Sequence, residues 1–271
     1  MNRSARARRL RSAEESPGPR ISPEASARSA LAAFVALVQS PVRVACVGDS
    51  ITFGSGLTNR QQCAYPAWLG RWLGPEYNVR NFGVSGATLV HHGDRPYFKQ
   101  AAHARALAFK PDIVIILLGT NDSKHRGDGS LDADQAINNW QFKGDYVADY
   151  ESLIAEFRQA NPKVEIYVCL PTPCFPGRWG INGQTIHDEI IPMVHQVAKT
   201  ANARVIDLHS ALPDKTDLLP DTVHPNNTGA KLIAAAVYRA LTGKESPTAA
   251  NDPATSPHSF NAVGSVMVVA R

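Results

Sequence analysis

From residue 42 onward the chain alternates short apolar runs with segments of helical period. This alternation constrains the fold more than any other feature. Residues 42–47, 78–82, 112–118, 164–170 and 204–208 read as strands. Residues 65–73, 96–109, 146–159, 185–201 and 228–241 read as helices, with apolar residues at helical spacing such as Trp68, Leu69, Trp72 and Leu73. Strands separated by helices need crossover connections, and these give a parallel sheet. The run from Ile113 to Leu118 is apolar at every position, as expected of a strand covered on both faces. The pattern predicts an α/β fold, a three-layer α/β/α sandwich around a five-stranded parallel sheet, forming one domain over residues 41–242.

Charge narrows the partners. The formal net charge is +4 and the pI about 8.9, which invites a nucleic-acid reading. Residues 1–40, however, hold seven Arg and three Glu with no Lys or Asp, so they carry the whole excess. The body is neutral, and non-specific nucleic-acid binding needs clustered positive charge. No nucleic-acid partner is expected. The longest strongly apolar runs, 30–38 and 113–118, fall far short of the roughly 20 residues of a membrane-spanning helix.

The apolar block 30–38 follows a basic segment, as in a secretory signal. Its long basic region and Pro41, just after Val38-Gln39-Ser40, fit that pattern poorly. Two readings of residues 1–40 stay open: an export signal, giving a periplasmic or extracellular protein, or a short amphipathic helix flanking a cytoplasmic domain. Residues 243–271 read as a tail with no place in the sheet. Cys46, Cys63, Cys169 and Cys174 show no close pair of zinc-ligand spacing. Cys46 and Cys169 read as small buried hydrophobes. Cys63 and Cys174 lie in loops, where a disulfide requires export.

In open parallel sheets, ligands bind beyond the carboxyl ends of the strands. The first strand exits into Gly48-Asp49-Ser50-Ile51-Thr52 and the second into Gly83-Val84-Ser85-Gly86-Ala87-Thr88. The third exits into Gly119-Thr120-Asn121-Asp122, and Asp221-Thr222-Val223-His224 precedes the last helix. Together they are complete for acyl transfer. A serine hydroxyl needs an adjacent base; His224 is placed to take the proton of Ser50, with Asp221 orienting the imidazole. The backbone N–H groups of Ser50 and Gly86 and the Asn121 amide supply an oxyanion hole.

These four segments, in this order, resemble the blocks of the SGNH (GDSL-like) hydrolase family over residues 42–242. The resemblance implies the flavodoxin-like version of the sandwich, Ser50 as nucleophile, Asp221 and His224 completing the triad, and Gly86 and Asn121 in the oxyanion hole. Gly83 is the rival glycine, and Ser85-Gly86-Ala87-Thr88 fits the family pattern better. Lys124, Asn139-Trp140, Asp149-Tyr150, Pro171-Thr172-Pro173 and Gly177-Arg178-Trp179-Gly180-Ile181 resemble the carbohydrate acetylesterase, or sialate O-acetylesterase-like, branch. That implies a serine esterase acting on a small-molecule or polysaccharide acetyl ester, with no metal or organic cofactor. Thr52 stands where the nucleophile elbow of an α/β-hydrolase requires Gly.

Asp49 and Asp122 read as structural, holding turns through side-chain hydrogen bonds. Trp140 and Trp179 fall in the long connections after strands three and four, where aromatic faces would either stack on sugar rings or pack the loops down. His91 and His92 read as loop surface, His187 and His195 as a solvated helix face, and Trp68 and Trp72 as helical core. Two other activities remain open on the same site: acyl transfer to another alcohol, and hydrolysis of thioesters or lysophospholipids. A non-catalytic carbohydrate-binding module is the reading from another class.

Overall fold

The structure, a computed structural model, describes residues 40–125, 138–175, 178–212 and 216–247. The segment read as an export signal or flanking helix and most of the tail at 243–271 lie outside the described residues. Five strands form: β1 (Val42–Gly48), β2 (Tyr77–Gly83), β3 (Ile113–Leu117), β4 (Glu165–Leu170) and β5 (Arg204–Asp207). All neighbours pair in parallel, in the order β2-β1-β3-β4-β5. The order reverses between β1 and β3, and a crevice at such a switch point is where ligands of open sheets bind.

The helices are α1 (Ser50–Phe53), α2 (Arg60–Cys63), α3 (Tyr65–Leu73), α4 (Ala101–Ala108), α5 (Tyr146–Ala160), α6 (Gly183–Thr185), α7 (Ile191–Thr200) and α8 (Asn227–Thr242). Successive strand side chains point to opposite faces, so each face meets its own helices. Val114, Ile116 and Val168 pack with Ile154 and Phe157 of α5, Val194 and Val197 of α7, and Ala106 of α4. Ile115, Leu117 and Cys169 pack on the other face with Leu69 and Trp72 of α3 and Ile233 and Val237 of α8. The three-layer expectation holds, and the unbroken apolar run of β3 follows from being covered twice.

Local signals fix the helix ends. Asn226 caps α8, its side chain accepting from the Gly229 N–H at 3.0 Å, and Gly243 ends it in the left-handed region at φ 69°. Two expected helices are modified. Residues 96–109 are not one helix: a 3₁₀ turn (Tyr97–Lys99) precedes α4, and Gln100 between them is extended. The break lets Tyr97 turn inward and donate its hydroxyl proton to the Phe82 carbonyl at 2.9 Å. Between α6 and α7, Ile186–Ile190 form a π-helical turn that buries both isoleucines. Cys46 and Cys169 are fully buried, and burial pushes the Cys46 thiol up to about 12. Cys63 and Cys174 are not joined by a disulfide.

Candidate active site

The segment that carries Ser50 is a sharp strand-to-helix turn. A Cβ on Gly48 would fall on the Thr52 hydroxyl and the Leu117 carbonyl, so only glycine lets β1 turn here. Asp49 then caps α1, its carboxylate accepting from the Ile51 N–H at 2.9 Å. This puts Ser50 at the first position of α1, where a backbone N–H has no intrahelical acceptor.

Opposite it stands the turn before α8. The His224 Nε2 lies 2.8 Å from the Ser50 Oγ, across 174 residues of sequence. The His224 Nδ1 lies 2.7 Å from the Asp221 Oδ2. The other oxygen of Asp221 accepts the backbone N–H groups of Val223 (3.1 Å) and His224 (2.7 Å). The turn needs Thr222 in the left-handed region, φ 73°, which is uncommon for a β-branched residue. The Phe175 N–H holds it there by donating to the Thr222 carbonyl at 2.9 Å. Burial pushes the Asp221 carboxyl up, but hydrogen bonds from the His224 backbone and ring outweigh it and leave its pKa below the ordinary value. An ionised carboxylate can only accept, so the imidazole proton sits on Nδ1 and Nε2 accepts from Ser50.

The remaining donors come from the exits of β2 and β3. Gly86 is in the left-handed region at φ 79°, and its N–H has no backbone acceptor among the described residues. Asn121 is buried and donates one amide proton to the Ala87 carbonyl at 3.0 Å, which leaves its second proton for another acceptor. Gly83 serves a different end: a Cβ there would strike the backbone of Thr52 and Phe53, so this glycine lets β2 pack on α1. Asp122 fastens the two exits together, its carboxylate accepting from the Leu89 N–H (2.9 and 3.0 Å) and the Val90 N–H (2.8 Å). Asn139, noted in the sequence only within the Asn139-Trp140 resemblance, acts as a strut. Fully buried, it donates to the Asn121 carbonyl at 2.9 Å and to Asp94 at 3.0 Å, tying the β3 exit to the 91–96 loop.

Asp49 and Asp122 are fully buried, and burial pushes Asp49 up to about 7 and Asp122 up to about 6. A carboxyl held above its unfolded value near 3.9 contributes stability that is full below about pH 4. That contribution is lost as pH rises through the folded-state value, about 7 for Asp49. Asp49→Asn keeps an acceptor for the Ile51 N–H but does not ionise. Its Tm should therefore fall less than that of wild type between pH 5 and pH 8, where wild type loses at most about 3 kcal/mol more unfolding free energy. Identical pH slopes in a thermal melt series would contradict this account.

The two candidate tryptophans part company. Trp140 is 3% exposed and packs edge-on against Tyr146 in the core, ring centroids 5.8 Å apart. The 3₁₀ turn (Asn139–Asp145) rotates it inward, so the expectation that it lines the substrate site is corrected. Trp179 is 37% exposed, with its ring centroid 5.3 Å from that of His224. Beyond it, Phe175, His187 and His209 line a cavity of about 360 Å³ at the exits of β4 and β5. His91 is tied to Asp149, its N–H donating at 2.7 Å, while His92, His187 and His195 are exposed. Trp72 is core; Trp68 is only partly buried beside it. Among the described residues no group of three or more His, Cys, Asp or Glu side chains is arranged to hold a metal ion. No described helix is long and apolar enough to cross a membrane.

Residues 46–232 match the GDSL-like lipase/acylhydrolase family. The chain belongs to this family. It is 40% identical over 223 residues to an acetylxylan esterase of Xylanibacter ruminicola, covering 75% of this chain and 44% of that protein. The chain thus spans less than half the length of that relative. Among solved structures, an acetylxylan esterase from Geobacillus stearothermophilus is 26% identical, with a TM-score of 0.58 over 75% of this chain and 95% of that one. A carbohydrate acetylesterase from Sinorhizobium meliloti, 18% identical, shares the fold with a TM-score of 0.53, over 74% of this chain and 98% of that one. In this GDSL-like chain the four blocks noted in the sequence lie at one edge of the sheet.

Proposed function

We propose that this GDSL-like chain is a serine esterase that removes acetyl groups from carbohydrate. The observation that carries the reading is the continuous relay from Ser50 Oγ through His224 to Asp221, at 2.8 and 2.7 Å. The acetylxylan esterase relative, at 40% identity, supports the acetyl group and the sugar. The catalytic domain spans residues 41–242, since β1 begins at Val42 and α8 ends at Thr242.

The chemistry follows from the geometry. Ser50 Oγ attacks the acetyl carbonyl as His224 Nε2 takes its proton. The carbonyl oxygen becomes an oxyanion facing the Ser50 and Gly86 N–H groups and the second amide proton of Asn121. The imidazolium, stabilised by Asp221, then returns the proton to the departing sugar oxygen and leaves an acetyl-enzyme. Water, deprotonated by His224, attacks that ester, and collapse releases acetate and restores Ser50. Each step needs the same proton on the same nitrogen, which the Nδ1–Asp221 contact secures.

Trp179, exposed beside His224, offers an aromatic face for the sugar ring, and the neighbouring cavity gives room for further rings. Trp179→Ala should raise KM for an acetylated oligosaccharide about fivefold or more, as loss of an aromatic contact of about 1 kcal/mol implies. KM for an aryl acetate, which has no sugar, should move less. Equal effects on both substrates would remove Trp179 from sugar binding. The function itself is tested by incubating the enzyme with acetylated xylan, pectin and mannan and with acyl-chain homologues of an aryl ester. Release of acetate from a polysaccharide supports the reading, and preference for octanoyl over acetyl overturns it.

A further inference from the structure

Resting on the esterase reading, we infer that the acetylated saccharide is anionic: it carries a carboxylate, as a uronic-acid residue does, and Arg95 and Arg178 recognise it. Outside residues 1–40 the chain has no net charge, so a positive site must be built locally. Two exposed arginines build it. The Arg95 side chain lies across Gly86, its Cδ 3.5 Å from where a Cβ on that glycine would stand. The Arg178 guanidinium lies over the Trp179 ring, 5.6 Å from its centroid, and that ring is 5.3 Å from His224. Gly86 follows β2 and Trp179 follows β4, while Ser50 follows β1 between them. One cation thus borders Gly86 and the other borders the ring beside His224, so both stand at the edge of the proposed site.

Among the described residues neither is neutralised by an acid. Asp94, next to Arg95, is held by Lys124 at 2.9 Å and by Asn139 at 3.0 Å. Asp221 is committed to His224, Asp145 lies against His92, and Glu189 is paired with Lys143. No described carboxylate forms an ion pair with Arg95 or Arg178, whereas Arg43, Arg204 and Arg239 are each paired with an acid. The backbone of Arg95 is fixed as well: its carbonyl accepts from the Thr88 N–H at 2.9 Å, and the Asp94 N–H donates to Asn139 at 2.9 Å. A guanidinium fork on a fixed backbone suits a carboxylate, which it pairs in bidentate fashion. A neutral polysaccharide offers such a fork hydroxyl acceptors but no charge to pair with it.

The experiment compares two acetylated oligosaccharides with the same acetyl pattern, one bearing a uronic-acid carboxylate and one with the corresponding alcohol. Acetate release gives the ratio of their kcat/KM values for wild type, Arg95→Gln and Arg178→Gln, at low salt and at high salt. Wild type is expected to favour the acidic compound about tenfold or more at low salt, mostly through KM, with the ratio shrinking as salt screens the pairing. Each variant should bring the ratio toward one, and Arg95→Lys should restore part of it. A wild-type ratio near one, or ratios unchanged in both Gln variants, would overturn the inference. An aryl acetate run alongside separates the two readings: if wild type hydrolyses none of the three compounds, the esterase reading itself has failed.

Discussion

Ser50→Ala is expected to lower kcat on a small aryl acetate by about 10⁴-fold or more. Removing the nucleophile of a triad leaves only the catalysis of the oxyanion hole and of substrate binding. The loss would not come from unfolding. Ser50 is the first residue of α1, and that turn is held by the Asp49 cap and by backbone bonds such as Gly54 N–H to the Ser50 carbonyl at 2.9 Å. The hydroxyl contributes one side-chain contact, to His224. The variant should therefore melt within about 4 °C of wild type, since loss of one buried hydrogen bond costs about 1 kcal/mol and a domain of this size shifts about 2–4 °C per kcal/mol. Retention of more than a few per cent of wild-type kcat, in protein free of wild-type contamination, would sink the assignment.

Asp221→Asn should cost almost as much, and for a reason that the turn makes specific. One oxygen of Asp221 accepts two backbone N–H groups, and the other accepts from His224 Nδ1. An asparagine has one acceptor oxygen. Two fixed backbone donors compel that oxygen to take the first position, so the amide NH₂ faces Nδ1. The imidazole must then accept at Nδ1 and carry its proton on Nε2, pointing at Ser50. A base in that tautomer has no lone pair for the serine proton. The corresponding exchange in serine-protease triads costs about 10⁴ in kcat. A loss below about tenfold in kcat at neutral pH would show that Asp221 does not set the tautomer. KM should move much less, because the turn and the substrate surface are retained.

Much of this arrangement was legible from residue types alone. The β3 run announced a strand covered on both faces, and the two side-chain sets of Ile115 with Leu117 and Val114 with Ile116 do meet separate helical layers. Gly86 was singled out from its block, and the backbone holds it in the left-handed region at φ 79°, whereas the close approach that demands Gly48 shows only in the structure. What escaped notice depends on how loops fold back. Trp140 lies in a connection of the kind that lines clefts, but sequence says nothing about which way a 3₁₀ turn rotates its ring. Arg95 is nine residues past Gly86, and only the pairing of Thr88 with Pro96 brings it back across that glycine. Asn139 stands out in the sequence only through the Asn139-Trp140 resemblance, and its role as a strut shows only once its carbonyl and carboxylate partners are seen. The break at Gln100 was hidden for a similar reason: Ala-rich spacing favours a helix, and the demand of the Tyr97 hydroxyl for the Phe82 carbonyl overrides it.

The turn from Asp221 to His224 has a wider consequence. Its carboxylate orients the imidazole with one oxygen and shapes the loop's own backbone with the other, so base and orienting group form a self-contained cassette. Neighbouring loops anchor this cassette, through the Phe175 N–H on the Thr222 carbonyl and the Asn226 N–H on the Leu218 carbonyl, and a single contact joins it to Ser50. Activity is thereby separable from global stability. On the proposed esterase reading, lifting this turn by an ångström or two would break its contact with Ser50 while every strand stayed paired, and reseating it would restore the relay.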